Sequence, residues 1–578
     1  MATDRKKPSP SQKTDPDMKD KNSRMRKLVE ENWDSDFTDS YLSTVETLTK
    51  VASTIQPTRL AKSSFELLTN LTRIATGNVE DRVRTDRDPR FADPTWQENP
   101  FFKTLSQSYA AWSDAVMQLV DEEQETETDW RDKEHTRLLL QMLVTSLSPS
   151  NFLLSNPKAL DRARETRGKS LARGMQHLLA DLAEGRKLPR HVDPGHFEVG
   201  VNLATTPGAV IFRNEVLELI QYRPTTDEVL TQPTLIVPPQ INKYYLMDMA
   251  PGRSFVEYAV SRGVPVFAVS WRNPGRAQSH WDFDDYIQAL YEAIDAVCDI
   301  GKSEDLNLVG ICAGGITTTV LLNTMAARGD SRIKSVAYAV TLLDFDVPCP
   351  LGALHSESIQ KMTDKHTRSR GVLPGNELGD VFCWLRANDL VWRYWTNNYL
   401  MGDAPKPFDI LYWNQDSTNL PQALHQQFMR VFGDNVLCKP GELTIMDTPV
   451  DLSTIEVDTF VTGAEADHLT PWRGCYRTTQ LLRGESTFVL TNAGHIAGLI
   501  NPPTNPKARF LIGPAGESDP DTWKANAETR QGTWWQAWAE WIMERAGDWR
   551  PRPRRMGNRR YPILCPAPGT YVKEKPVL

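Results

Sequence analysis

The residues best suited to chemistry in this sequence surround a cysteine at position 312. Residues 308–319 read LVGICAGGITTT, in which an apolar run leads into Gly-x-Cys-x-Gly with further small residues after it. With serine at the centre, this pattern is typical of a nucleophile elbow, a tight turn between a strand and a helix. Such a turn needs small neighbours because its backbone is strained and the following helix packs closely. The pattern therefore predicts that Cys312 is a nucleophilic thiol.

Two backbone N–H groups are expected to hold an oxyanion beside this thiol. The helix that begins directly after Cys312 has free N–H groups and a partial positive charge, which favour a thiolate over a thiol. The N–H of Ala313 is the first candidate donor. In hydrolases of this type, the second donor comes from the loop after the third strand, here VPPQINKYY at 237–245. Gln240 is the candidate in that loop, through its backbone N–H.

An acid and then a histidine should follow the nucleophile along the chain. One strand ends in TGAEADHLTPW, which places Asp467 on the loop just beyond it. The next strand ends in FVLTNAGHI and delivers His495. His468 is a second candidate base, ranked lower because it follows the acid immediately instead of ending the last strand. Order and loop position thus predict a triad of Cys312, Asp467 and His495.

Three other carboxylates compete with Asp467 for the role of the acid. Glu465 lies on the same loop, and Asp344 and Asp346 follow the strand at 333–345, where some hydrolases carry their acid. Asp467 could instead serve as the N-cap of a helix. We prefer Asp467 because it lies beyond the strand that precedes the histidine strand.

The elements that must position these residues alternate between strand and helix. After a hairpin around Arg213-Asn214, apolar strands are predicted at 233–239, 264–271, 306–312 and 333–345, and again at 457–467 and 486–495. Near-continuous apolar strands separated by helices are typical of a parallel sheet covered on both faces. Residues 346–455 interrupt the alternation with aromatic, partly helical sequence. The predicted fold is therefore α/β, an α/β-hydrolase fold with an inserted cap over the active site.

The remaining sequence suggests three further regions. Residues 1–30 are charged and lack periodicity, which predicts a disordered segment. Residues 31–205 show helical periodicity and no catalytic motif, so they are expected to form a helical N-terminal domain. The catalytic domain is placed at 206–550, and the arginine-rich residues 551–578 are expected to be a solvated basic tail.

Composition argues against several classes of protein. The formal net charge of −8 gives no general reason to expect nucleic-acid binding. No apolar run approaches the roughly 18 residues of a transmembrane helix, and the charged N-terminal sequence is not a secretory signal. Seven scattered cysteines without a CxxC pair argue against a disulfide framework or zinc ribbon and favour a reducing cytoplasm. We expect no metal site and no cofactor.

Several long stretches of the chain resemble the polyhydroxyalkanoate synthases, single-chain enzymes that polymerise (R)-3-hydroxyacyl-CoA into a storage polyester. In that family the cysteine of the GxCxGG box carries the growing polyester chain, and the aspartate of the DH pair and the histidine of GHI complete the triad. These residues correspond to Cys312, Asp467 and His495. The stretches that carry the resemblance include DPTWQENPFFKTLSQSYAAW (93–112), VPPQINKYY (237–245), GICAGGIT (310–317), NDLVWRYWTNNYL (388–400), ADHLTPW (466–472) and GHIAGLINPP (494–503).

The resemblance also implies partners and a location. It implies release of CoA, a homodimer formed through the cap, and a cytoplasmic enzyme at the surface of the polyester granule. The N-terminal helical region is expected to contact the granule or granule-associated proteins there.

A thiol nucleophile suits the formation of a polyester. Transfer from CoA to Cys312 exchanges one thioester for another, so the acyl group stays activated, whereas serine would give a more stable oxyester. The 3-hydroxyl of a second unit must then lose its proton, and the sequence leaves both Asp467 and His495 open as the base. The alternative is a cysteine-type α/β-hydrolase that acts on a lactone or a thioester. A second rival is a granule-binding protein on an inactive hydrolase fold.

Overall fold

A computed structural model describes residues 57–79, 83–121, 129–355 and 357–575. The segment at 1–30, predicted to be disordered, lies outside the described residues. Contacts divide the chain into two compact units. The smaller unit extends to Glu125 and includes Leu139–Pro189 and Asn398–Asp403, and the larger unit takes Thr126–Leu138, Arg190–Asn397 and Ala404–Leu578. The domain boundaries proposed from the sequence stay predictions.

The smaller unit is helical in its described part. Phe91, Trp96, Tyr109 and Val144 pack together in a small apolar core of this unit. The Tyr109 hydroxyl donates to the Val144 carbonyl at 2.9 Å. Helix α3 begins in the larger unit and ends in the smaller one. Among the helices that the structure describes, none is both long and apolar enough to cross a membrane. Besides a four-residue helix at Thr95–Glu98, the α-helices are α1 (Pro57–Thr76), α2 (Pro100–Asp121), α3 (Trp130–Ser146), α4 (Pro157–Glu165) and α5 (Lys169–Ala183).

The larger unit is built on an eleven-stranded sheet. Its strands are β1 (Gly208–Arg213), β2 (Leu217–Tyr222), β3 (Thr234–Val237), β4 (Val266–Trp271), β5 (Leu306–Ile311), β6 (Ile333–Ala339), β7 (Asp458–Ala464), β8 (Ser486–Thr491), β9 (Arg509–Pro514), β10 (Glu528–Gln531) and β11 (Cys565–Pro566). Across the sheet they follow the order β11-β1-β2-β4-β3-β5-β6-β7-β8-β9-β10. The six central strands, which lie in the order β4-β3-β5-β6-β7-β8, run parallel. The strands at both margins pair antiparallel. The predicted mostly parallel sheet is confirmed.

Both faces of this sheet are covered by apolar clusters. Successive side chains on a strand point to opposite faces, so neighbouring residues of one strand enter different clusters. On β5, Leu308 packs into one apolar cluster, and Val309 packs into another on the opposite face. The first cluster includes Leu290 and Val320, and the second includes Trp538. The covering helices are α6 (Phe255–Ser261), α7 (Phe283–Gly301), α8 (Ala313–Ala327), α13 (Trp472–Leu481), α14 (His495–Ile500), α15 (Pro520–Asn526) and α16 (Trp534–Met543).

The segment between β6 and β7 contributes no strand to the large sheet in its described residues. It contains two π-helical segments, Asn388–Trp392 and Trp395–Leu400, and a short strand pair in which Val372–Leu373 meets Leu420–Pro421. Its α-helices are α9 (Glu357–Arg370), α10 (Gly375–Trp384), α11 (Asp409–Gln415) and α12 (Gln422–Asp434). This insertion follows β6, the neighbour of β5, and β5 ends directly before Cys312.

The end of the chain differs from the expected solvated basic tail. Strand β11 pairs with β1 at the margin of the sheet, and Tyr571 and Val572 are buried. The fully buried Glu218 of β2 accepts hydrogen bonds from the N–H groups of Thr570 at 2.8 Å and Tyr571 at 3.0 Å. The expectation of a solvated tail is therefore wrong for residues 565–573. A two-residue strand has no periodicity to detect, and a distant carboxylate supplies its anchor.

Candidate active site

Cys312 occupies the turn between β5 and α8, at the N-cap of the helix. Its backbone has φ 50° and ψ −123°, and its N–H donates to the Ala339 carbonyl of β6 at 2.9 Å. A non-glycine residue in such a conformation stores roughly 1–3 kcal/mol of strain, which persists only where the surroundings impose it. The strained turn lies where the sequence predicted a nucleophile elbow.

Three glycines around Cys312 leave room for this turn. A Cβ on Gly310 would lie 2.7 Å from the Gly315 Cα, and one on Gly314 would lie 2.6 Å from the Pro238 carbonyl carbon. A Cβ on Gly315 would lie 2.6 Å from the Thr341 Cγ2. These separations are shorter than real Cβ contacts, so the small residues of the motif are required for α8 to start so close to its neighbours.

Asp467, on the loop after β7, and His495, the first residue of α14, form a buried hydrogen-bonded pair. The His495 Nδ1 lies 2.7 Å from the Asp467 Oδ2, and both side chains are buried. Burial by itself lowers the pKa of His495, but the Asp467 charge and a hydrogen bond with Cys312 outweigh it and raise that pKa. The structure thus brings the three residues of the predicted triad together.

The Asp467 carboxylate accepts hydrogen bonds from its own loop as well. Its Oδ1 accepts from the N–H groups of Leu469 at 2.8 Å and Thr470 at 3.0 Å, and its Oδ2 accepts from the Thr470 hydroxyl at 2.7 Å. Burial raises the pKa of Asp467, but His495 and Thr470 outweigh burial and lower it. Sequence reasoning missed Thr470, although an Asp followed three residues later by Thr is typical of such a capped turn.

Gln240 lies in the loop after β3 and is buried. Its side-chain Nε2 donates to the Thr317 hydroxyl of α8 at 2.8 Å, which ties the loop to the helix that starts at Ala313. Within the described ranges, no acceptor receives the backbone N–H of Gln240 or of Ala313. Uncommitted N–H groups on buried residues are uncommon, and an oxyanion hole needs such donors. The use of these two groups in catalysis stays a prediction.

The competing carboxylates are engaged elsewhere. Glu465 is exposed and pairs with the Lys524 ammonium at 2.6 Å. Asp344 pairs with Arg477 at 3.0 Å, and Asp346 accepts from the Trp130 indole N–H at 2.9 Å. Their described contacts do not include His495.

Comparison with known proteins identifies the family. A family model described as the N-terminus of poly-beta-hydroxybutyrate polymerase (PhaC) matches residues 87–259, and the alpha/beta hydrolase fold matches residues 233–502. Poly(3-hydroxyalkanoate) polymerase 2 of Ectopseudomonas oleovorans is 45% identical over 84% of this chain and 86% of its own length. The poly(3-hydroxyalkanoate) polymerase subunit PhaC of Cupriavidus necator is 39% identical over 87% of this chain and 84% of its own length. The chain belongs to the poly(3-hydroxyalkanoate) polymerase family.

These matches confirm the predicted family, the α/β-hydrolase fold and the assignment of this polymerase to the acyltransferases.

The second candidate base, His468, is half-buried, and none of its described contacts is a hydrogen bond. Burial and the nearby Arg386 lower the pKa of His468. In the part of the polymerase that the structure describes, no group of three His, Cys, Asp or Glu side chains is suited to a metal ion.

Proposed function

We propose that this polymerase converts (R)-3-hydroxyacyl-CoA into polyhydroxyalkanoate through an acyl thioester on Cys312, with release of CoA. The buried Asp467–His495 pair beside a strained cysteine elbow carries the proposal. Membership in the polymerase family supports it, because a reactive thiol and its base are what a thioester exchange needs.

The first step loads the acyl group onto the enzyme. His495 takes the proton of Cys312, and the sulfur attacks the carbonyl carbon of the CoA thioester. The N–H groups of Ala313 and Gln240 stabilise the oxyanion of the tetrahedral intermediate. The bond from carbon to the CoA sulfur then breaks, and His495 returns its proton to that sulfur. One thioester has replaced another, so the acyl group on Cys312 stays activated.

The second step forms the ester. The 3-hydroxyl oxygen of another unit attacks the thioester carbon on Cys312, His495 takes the hydroxyl proton, and the thiol is restored as the carbon–sulfur bond breaks. We assign His495 to both steps, although the sequence also left Asp467 open. The ionised Asp467 carboxylate has about four acceptor sites. It accepts from Leu469 N, twice from Thr470 and from His495, which leaves it no site for a substrate proton.

The wider setting of the reaction follows from the same proposal. The aromatic insertion between β6 and β7 is proposed to keep water from the acyl thioester and to open for CoA. No metal or cofactor enters any of the steps. We further propose that the enzyme works as a homodimer in the cytoplasm, at the surface of the polyester granule and beside granule-associated proteins.

One assay tests the proposed function. Purified enzyme is offered (R)-3-hydroxyacyl-CoA with four carbons and, separately, with eight to ten, while free CoA thiol and insoluble polymer are measured together. The proposal expects polymer to grow in step with CoA release. Cys312→Ser should lose most of the activity, because an oxyester on serine is harder to pass on. Near-wild-type polymerisation by this variant would refute the argument from thioester balance.

The alternative is a cysteine-type hydrolase of thioesters or lactones. The elbow and the buried pair fit that chemistry equally well, because they activate a thiol without choosing the group that accepts the acyl chain. The same assay separates the two functions: a hydrolase releases CoA with soluble 3-hydroxy acid and no polymer.

A further inference from the structure

The loop after β3 must be held in place if the Gln240 N–H is to face an oxyanion. The insertion between β6 and β7 holds one side of this loop. The Thr418 N–H donates to the Ile241 carbonyl at 3.2 Å, and the Trp413 indole N–H donates to the Lys243 carbonyl at 2.7 Å.

The Lys243 side chain is buried, with 3% of the residue exposed. Its ammonium donates to the backbone carbonyls of Glu574 at 3.0 Å and Tyr571 at 3.4 Å. Burial lowers the pKa of Lys243 to about 8, against the opposing charge of Asp416. Burying an amine costs free energy unless its hydrogen bonds compensate. The compensation here comes from two carbonyls of one distant segment, residues 565–575, which we name the C-terminal strap.

The C-terminal strap is itself firmly anchored to the sheet. Besides the β11–β1 pairing, the Thr570 hydroxyl donates to Glu218 at 2.7 Å and the Tyr571 hydroxyl donates to the Asn214 carbonyl at 2.7 Å. At its far end, Lys575 pairs with Asp416 at 3.2 Å. A segment fixed at both ends provides Lys243 with immobile acceptors.

We propose that Lys243 is a positioning residue for acyl transfer: its hydrogen bonds to the C-terminal strap hold the loop that presents the Gln240 N–H to the oxyanion. This proposal rests on the proposed function, since it assigns a support to the oxyanion donor of that reaction. It also gives the C-terminal strap a role in catalysis, although none of its described hydrogen bonds reaches Cys312, Asp467 or His495.

The first test replaces the amine by an apolar group of similar length. Lys243→Met should lower kcat for CoA release about 10-fold and change KM less than about 2-fold, because oxyanion donors act mainly in the transition state. Lys573→Met is the matched control, since Lys573 lies on the strap with an exposed side chain. Wild-type kcat in Lys243→Met would overturn the proposal.

A second variant removes the acceptor instead of the donor. A chain that stops after Lys573 lacks the Glu574 carbonyl and the Lys575 pair with Asp416. It also lacks the contacts of Glu574 with Asn273 and Arg272. Its kcat should also fall about 10-fold, and combining it with Lys243→Met should lower kcat by less than the product of the two single losses, because both changes break the contact between Lys243 and Glu574. Multiplicative losses in the double variant would contradict the coupling. If Lys243→Met does not fold, the shortened chain alone decides between the two outcomes.

Hydrogen exchange supplies a readout that does not depend on substrate. Amides of residues 240–245 should exchange faster in both variants than in wild type and in Lys573→Met, whereas amides of β5 should be unchanged. Unchanged exchange in the loop would overturn the proposal even if kcat fell. If wild type itself released no CoA from (R)-3-hydroxyacyl-CoA, the proposed function would fail while the exchange result still judged the support of the loop.

Discussion

The nucleophile elbow and the acid–base pair meet at one site but are held by different forces. At the elbow, steric exclusion dominates: Cys312 is strained, and the glycines at 310, 314 and 315 admit no Cβ without overlap. At the pair, hydrogen bonds dominate: Asp467 accepts from Leu469, Thr470 and His495. The elbow is thus sensitive to added atoms, and the pair is sensitive to lost ones.

This difference predicts that the two regions respond differently to substitution. An added methyl group at the elbow displaces backbone, so fold and activity should suffer together. A removed donor or charge at the pair changes protonation and orientation while the surrounding shape is kept. Measuring activity and the free energy of unfolding for each variant therefore distinguishes substitutions at the elbow from substitutions at the pair.

Asp467→Asn should give the largest effect. The amide keeps the size of the side chain but removes the charge that orients His495 and raises its pKa, so kcat should fall on the order of 10³–10⁴-fold. Glu465→Gln is the matched control, because Glu465 is an exposed carboxylate on the same loop. Comparable losses in both variants would mean that the loop has no preferred acid.

The same substitution predicts a pH-dependent loss of stability. The pKa of Asp467 is lowered, so its contribution is present above its unfolded pKa and is lost on acidification. The pKa of His495 is raised, so its contribution is present below its unfolded pKa and is lost as pH rises through the folded one. The difference in free energy of unfolding between wild type and Asp467→Asn should be largest between about pH 3.9 and 6.5. Urea titrations across this range measure it, and a difference independent of pH would contradict the pairing.

Gly314→Ala should come next, and it tests the elbow. Its new methyl group would meet the backbone of Val237 and Pro238, so we expect kcat to fall about 10²-fold and the free energy of unfolding to drop by roughly 1–3 kcal/mol. Gly516→Ala is the control, since nothing lies within 4 Å of a Cβ there. A variant with wild-type stability but low kcat would show that steric packing is not what holds the elbow.

Much of this site could be predicted from the sequence, because the order of the parallel strands determines which loops lie close together. The carboxyl ends of parallel strands share one edge of a sheet, so loops after β5, β7 and β8 were bound to bring Cys312, Asp467 and His495 near each other. The small residues around Cys312 could also be interpreted from the sequence, because a helix that begins so close to neighbouring backbone leaves no room for larger side chains. Local pattern and topology agreed at these positions.

Other features were missed because at least one partner of each is distant in sequence. Thr470 gains its role from Asp467 and His495, and the C-terminal strap gains its place from Glu218 and Lys243. The arginine-rich sequence before the strap suggested a solvated tail, and a short strand with a buried carboxylate as its anchor leaves no periodic signal. Contacts of this kind depend on tertiary packing, which composition and spacing do not encode.

Thr470→Val sharpens the comparison at the pair with a smaller effect. Valine keeps the shape but removes the hydroxyl that donates to the Asp467 Oδ2 at 2.7 Å. A lost hydrogen bond to a charged group should lower kcat about 10-fold, equivalent to about 1.4 kcal/mol. Thr470→Ser keeps the donor and should retain most of the rate. Equal rates in the two variants would show that the hydroxyl does not support the pair.

His468→Gln should have the smallest effect. His468 follows Asp467 directly, but it makes none of the described hydrogen bonds of the triad, so kcat should change less than about 3-fold. The pH–rate profile should also keep its shape, since the general base is a different residue. A loss as large as that of Asp467→Asn would transfer the role of base from His495 to His468.

Trapping the acyl enzyme tests the central claim most directly. The enzyme is mixed with (R)-3-hydroxyacyl-CoA, quenched in acid during turnover, and digested for mass spectrometry. The account predicts a hydroxyacyl or oligoester mass on the peptide that contains Cys312, labile to hydroxylamine, and no such adduct or CoA release with Cys312→Ala. Sustained CoA release by Cys312→Ala, or an adduct on a different residue, would contradict it.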